Sequence, residues 1–301
     1  MSLKIFSVGM LVCICFACAK VDKNKLQDKT SSSLNLEDVD SSSSAFKKLK
    51  IDKSFGEEYI DFSYNFEQTS LFKRHLNTIG LLIDSSNSEY IRRFSYSYKK
   101  AGEHEKAMKI LNLSLESENE ISAKLNNLDY AAWNYLYFYR DYENTIKTVD
   151  DILELTHNDL GISCHGEACL LLKGQALYRL GKYEEAIRVF SDYQQNETKQ
   201  GFDSMDNFLI VFYKAICLSK LKQYDTAISY FSHLVEGHPS AEVSYQLAKL
   251  YYLTSDFENS KIHLLQAESA LAEGFTFKEP YFERFDKVFQ YQIENLKQKL
   301  E

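Results

Sequence analysis

"GQALYRLGKYEEAIRVF", residues Gly174 to Phe190, decides the fold because two helical patterns meet in it around a single break. Upstream of the break, Leu170, Lys173, Gly174 and Leu177 recur at steps of three and four, which lines them up along one helix stripe. Gly174 has no Cβ, so a neighbouring helix can approach closely there. Leu180, Gly181 and Lys182 combine a glycine with a basic residue, the composition of a helix stop. Downstream, Ala186, Val189, Phe190 and Tyr193 again share one face. The stretch predicts a helical hairpin.

The pattern returns. "YEEAIRVF" (183–190) aligns with "YDTAISYF" (224–231) in its aromatic, acid, Ala and terminal Phe, and the two aromatics lie 41 residues apart. Each is preceded by a matching helix, "LKGQALYRLGK" (172–182) and "YKAICLSKLKQ" (213–223). Tyr142, His104 and Phe257 hold the same phase in three further stretches. Self-similarity of this kind resembles the tetratricopeptide repeat (TPR), a helix pair with a period of about 34 residues, a small residue in its first helix and Ala and Phe in its second. The matching residues are Gly174, Ala186 and Phe190; then Ala215, Ala227, Phe231 and Pro239; then Ala248, Tyr251 and Ala267. Units fall at about 88–125, 126–166, 167–207, 208–240 and 241–274. Departures are Trp133 at the small position of the second unit, and Thr145 and Ser260 in place of the second-helix Ala.

The resemblance implies an all-α fold, a TPR-type superhelical solenoid of antiparallel helix pairs. Residues 54–87 read as a further helical flank. Residues 275–301 begin near Pro280 and carry Phe282, Phe285, Phe289, Ile293, Leu296 and Leu300 at helical steps, which predicts one amphipathic helix capping the stack. TPR proteins hold a partner's peptide or helix in a concave groove lined by their first helices. Carried onto this chain, the lining comprises Arg92, Tyr96 and Lys99; Tyr130, Asn134 and Tyr137; Leu171, Gln175 and Tyr178; Phe212 and Ile216; and Tyr245, Lys249 and Tyr252. Its tyrosines offer flat contact area with a hydrogen-bonding tip, the profile of an interface.

The N-terminus points outward from the cytoplasm. "MSLKIFSVGMLVCICFACAK" has a cation at Lys4 and an apolar run from Ile5 to Phe16, too short for the roughly 20 residues that span a bilayer, and reads as a secretory signal over 1–18. Two cleavage readings stand: a lipobox with Cys18 as the lipidated residue, and ordinary cleavage after Ala17-Cys18-Ala19. The lipoprotein is favoured because a tether follows. Residues 19–53, with two serine runs and few apolar residues, bury too little surface to offset ordering entropy and are expected to be a disordered tether. The expected location is the cell envelope, lipid-anchored or periplasmic, with the inner or outer membrane left open.

A net charge of −8 without a Lys/Arg block argues against nucleic acid as a partner. No phosphate loop, nucleophile elbow or paired-histidine zinc helix occurs in the sequence, so no catalytic residues, metal or cofactor are assigned. In "THNDLGISCHGEAC", His157, Cys164, His165 and Cys169 cluster at a spacing poor for zinc, and read as a structural loop. Cys169 and Cys217 sit on apolar stretches as expected buried thiols, with no disulfide framework. The function expected is a noncatalytic, membrane-tethered scaffold for a protein or peptide partner. The alternatives are a component of outer-membrane protein assembly and, from another class, an enzyme or metal-binding module.

Overall fold

The computed structural model describes residues 54–84, 87–116 and 120–301, so the signal, Cys18 and tether readings lie outside the described residues. The chain pairs its helices in sequence order: α1 (Ser54–Ser63) with α2 (Leu71–Ile83), α3 (Ser88–Lys100) with α4 (His104–Glu116), and α5 (Ile121–Asn134) with α6 (Tyr142–Leu155). Then come α7 (Cys169–Arg179) with α8 (Tyr183–Lys199), α9 (Phe208–Lys220) with α10 (Tyr224–Gly237), α11 (Ala241–Leu253) with α12 (Phe257–Glu273), and a last helix α13 (Gln290–Leu300). This is an all-α solenoid of antiparallel helix pairs.

The same backbone device closes four hairpins. Gly102, Gly181, Lys222 and Ser255 adopt positive φ, at 79°, 77°, 62° and 64°. The next residue sends its N–H back five positions, as Lys182 does to the Leu177 carbonyl and Gln223 to that of Leu218. This satisfies carbonyls that the helix end leaves without partners. Side-chain oxygens of Ser70, Asn87, Asp141, Asn207, Ser240 and Asp256 cap the starts of α2, α3, α6, α9, α11 and α12.

Within the pairs, small residues receive large ones. The Phe190 ring lies against Gly174 so closely that a Cβ there would meet Cε1 at 2.1 Å. Ala215, Ala227, Phe231, Ala248 and Ala267 are fully buried in the next two units. The main core runs from α5 through α11 and takes in Phe277 and Phe285, and a second cluster joins Ala248, Leu264 and Ala267 to Val288, Ile293, Leu296 and Leu300.

Four expectations require correction. The second unit starts at Ile121, not 126, because the Glu120 side chain accepts from the N–H groups of Ser122 and Ala123 and caps the helix there. In that unit Trp133 does not take the small position. Residues Tyr135–Tyr139 form a π-helical turn, which adds a residue before the left-handed Arg140, so the position seven before the turn in other units falls on buried Ala132. Cys164 and Cys169 form a disulfide, with Cα atoms 4.8 Å apart. Strands β1 (Ser163–Cys164) and β2 (Glu167–Ala168) pair through His165 and Gly166, both at positive φ, and this tight hairpin brings the sulfurs together. The bond removes both sulfurs from metal ligation. Cys217 is a buried free thiol, pushed up to about 12 by burial.

The fourth correction is at the C-terminus. The helix begins at Gln290, and the chain from Phe275 to Phe289 is not helical. Asp286 sits at φ 59°, a left-handed conformation that a continuing helix excludes, and Phe282 and Phe285 both pack about Tyr137, Phe282 also on Trp133 and Phe285 also on Tyr142, instead of forming a helix stripe.

Candidate partner-binding groove

The groove is built from the inward faces of α3, α5, α7, α9 and α11, and the structure divides its assigned residues into three groups. The central group, Tyr137, Leu171, Gln175, Tyr178, Phe212 and Ile216, is buried. Its cover is the segment 275–289 of the same chain, which behaves as a strap across the first helices. Phe277 packs on Phe212 at 4.9 Å between ring centroids, and Phe282 stacks on Tyr137 at 3.9 Å and meets Trp133 edge-on at 5.4 Å. Phe285 lies under the Arg140 and Arg179 guanidinium groups, 4.4 and 5.0 Å from its ring centre.

Polar bonds fix the strap's register. Arg284 pairs with Glu167 at 2.6 Å and also with Glu279. Tyr178 donates to an Asp286 carboxylate oxygen at 2.8 Å, Tyr213 to the Phe285 carbonyl at 3.1 Å, and Arg140 to the Glu283 carbonyl at 2.8 Å. Burial holds the Asp286 carboxyl above the ordinary carboxylate range, against the lowering effects of the Tyr178 bond and of Arg179, Lys220 and Lys249. Glu242, at the start of α11, accepts from the Val288 N–H and is likewise raised by burial.

The N-terminal group surrounds an open cavity of about 580 Å³ lined by Tyr96, Lys99, Lys100, Tyr130, Trp133, His165, Tyr281, Phe282 and Arg284 among others. Lys99 is only 5% exposed, and its ammonium donates to Asn134 Oδ1 at 2.7 Å. It lies 4.2 to 5.5 Å from the ring centres of Phe138, Tyr96, Tyr130 and Trp133. Burial, with Lys100 adding to it, brings the amine down to about 7. Arg92 borders a neighbouring cavity of about 330 Å³ that shares Tyr96, Tyr130 and His165 with the first. The C-terminal group stands apart from both: Tyr245 and Tyr252 pack against the cluster that seats α13, and Lys249 is half-buried.

Sequence reasoning missed Phe282, Arg284, Phe285 and Asp286 as occupants of the groove, and Arg140, Glu167, Tyr213 and Glu242 as the groups that hold them. Their apolar spacing fits a helix stripe equally well. The one local warning was Pro280, with a glutamate before it.

The sequence profile of the tetratricopeptide repeat family matches residues 168–197 and 211–241. No curated protein matches the chain significantly. Among solved structures, the chain is similar to a tetratricopeptide repeat protein from Parabacteroides merdae, with 14% identity and a TM-score of 0.59 over 82% of this chain and 86% of that one. It is also similar to PilF of Pseudomonas aeruginosa, with 15% identity and a TM-score of 0.54 over 82% and 99%. PilW, described as a widely conserved type IV pilus biogenesis factor, gives 12% identity and 0.53 over 72% and 94%. Helix pairs of this kind define the class, a repeat solenoid whose first helices form a shared face. The fold is that of a tetratricopeptide repeat protein, and the units at 168–197 and 211–241 carry that family's sequence signature.

Proposed function

We propose that this chain is a noncatalytic scaffold that binds an extended segment of a protein partner on its first-helix face, while a lipid on Cys18 holds it at a membrane of the cell envelope. The observation that carries the binding reading is that this face already accommodates a non-helical stretch of polypeptide, with two rings inserted and backbone carbonyls accepting from Arg140 and Tyr213. An aromatic, partly desolvated face is what concentrates binding energy at interfaces. Among the described residues no helix is long and apolar enough to cross a membrane, and the tethering reading rests on the lipobox sequence and the tether-like composition that follows it.

Photocrosslinking residues placed singly at Tyr96 and Tyr252, on the first helices, and at Glu185 and Glu258, exposed on the second helices, test the binding reading in native membranes. Crosslinks to one partner from the first pair alone are expected. Crosslinks from Glu185 and Glu258 alone would place the interface on the opposite face and sink the proposal. Tethering is read from the mass of the mature N-terminus, where an acylated Cys18 is expected and a chain starting at Lys20 without acyl mass refutes it.

A further inference from the structure

The strap has the features of a bound peptide. It leaves α12 through Gly274, held at φ 80°, runs without helix to Phe289, and rejoins regular structure in α13, which packs on the α11–α12 cluster through side chains of its own. Between those fixed ends the chain is read by its side chains. Phe282 and Phe285, three residues apart, take the aromatic environment around Tyr137; Arg284 meets Glu167; Asp286 meets the Tyr178 hydroxyl in a surrounding made cationic by Arg179, Lys220 and Lys249. The groove therefore reads ring, any residue, base, ring, acid.

The fit leaves polar atoms over. Asp286 Oδ2, Arg284 Nη1, Arg140 Nη1 and Glu242 Oε2 are buried without a hydrogen-bond partner among the described residues. Buried donors and acceptors lacking partners weaken whatever seats them. Two of these four atoms belong to the groove and two to the strap, so a segment with the same side chains but without the strap's fixed ends is free to settle and complete bonds that the strap leaves unmade. The strap's apex is also accessible: Tyr281 is 63% exposed, and Phe282 and Arg284 form one wall of the open cavity at Lys99. A competing chain has a point of entry there.

We propose that the strap is an internal stand-in for the partner, and that the central groove accepts in trans a non-helical acidic-ended segment of the form Phe-x-Arg-Phe-Asp, strap and partner excluding one another. This rests on the first-helix face being the binding face, and it adds the partner's chemistry and the condition for access. A tethered occupant competes at an effective concentration on the order of millimolar, so the apparent affinity for a free segment is reduced by the fraction of time the groove stands open. Loosening the strap therefore strengthens binding without any new contact.

The probe is a fluorescein-labelled synthetic peptide with the sequence of residues 279–289, EPYFERFDKVF, titrated into the full chain and followed by anisotropy. The Phe282→Ser/Phe285→Ser variant, which loses both anchors while keeping every groove residue, is expected to bind the peptide at least about tenfold more tightly than the wild type. A scrambled peptide, and one with both Phe replaced by Ser, should bind neither. A variant with native helicity by circular dichroism that binds the native and scrambled peptides equally, or binds neither, overturns the proposal. Should that variant not fold, hydrogen exchange on the wild type decides: faster exchange across 276–288 on adding excess peptide supports displacement, and unchanged exchange refutes it. Sedimentation that finds wild-type dimers dispersed by the peptide would assign the groove to a second copy's strap and refute a foreign partner. If the peptide fails while photocrosslinks still arise from Tyr96 and Tyr252, only the stated chemistry falls; crosslinks from Glu185 and Glu258 alone remove the binding face itself.

Discussion

Replacing Gly174 with alanine adds one carbon at the tightest helix–helix contact of the central repeat. The new Cβ would lie 2.1, 2.4 and 2.7 Å from Cε1, Cζ and Cδ1 of Phe190, and that ring is fully buried, so it cannot swing into solvent. Overpacking of a filled core costs about 1 to 3 kcal/mol. Against this stands the helix-propensity gain of alanine over glycine, about 1 kcal/mol. With three ring atoms inside contact distance the cost sits at the upper end, and the net loss is about 2 kcal/mol. For a domain of this size that is a fall of about 4 to 8 °C in Tm. The internal control is Gly237→Ala, at the end of α10, where nothing lies within 4 Å of the added carbon and stability should hold or rise slightly. Phe190→Leu in the Gly174→Ala background should relieve the clash, with a coupling above about 0.5 kcal/mol in a double-mutant cycle from urea denaturation. A Gly174→Ala protein that melts at or above the wild type, or additivity in the cycle, would refute the packing account.

Three further outcomes are expected. Asp286→Asn keeps an acceptor for Tyr178 and suits the left-handed backbone, while removing a buried charge. Because the folded carboxyl is raised above 3.8, stability falls as pH rises through the interval between 3.8 and the raised value, so the variant's Tm should exceed the wild type's at pH 7 and the gain should shrink toward pH 4; equal curves at both pH values would refute this. Lys99 is held at about 7 against the usual 10.5, so the unfolded chain binds the proton across that window, and stability should rise with pH from 7 to 10.5. Lys99→Met should raise Tm below pH 7 and flatten that rise, and an unchanged slope would show that the surrounding rings fully offset the burial. Reducing the Cys164–Cys169 disulfide removes a short-loop constraint of about 2 kcal/mol, so a reductant should lower Tm by several degrees and speed hydrogen exchange at Glu167 and Arg284; a Cys164→Ser variant insensitive to reductant serves as the control.

The sequence by itself determined the helix pairs. Gly174 against Phe190, Gly181 in the turn, and the recurrence of Ala and Phe in the next unit are short-range signals, since close approach, left-handed backbone and helical stripes each depend on residues a few positions apart. The same locality explains its errors. An inserted π-helical residue moved the small position of the second unit from Trp133 to Ala132, and a two-residue turn at His165-Gly166 joined two cysteines that looked independent. Whether Phe282 and Phe285 share a helix stripe or reach Tyr137 from a non-helical strap cannot be read from their spacing, because a step of three satisfies both. Tertiary structure decided it: the ring-sized environment at Tyr137, the carboxylate of Glu167 and the hydroxyl of Tyr178 come from units more than a hundred residues earlier in the chain, and only the stacking of those units creates the face that holds the strap in a non-helical form.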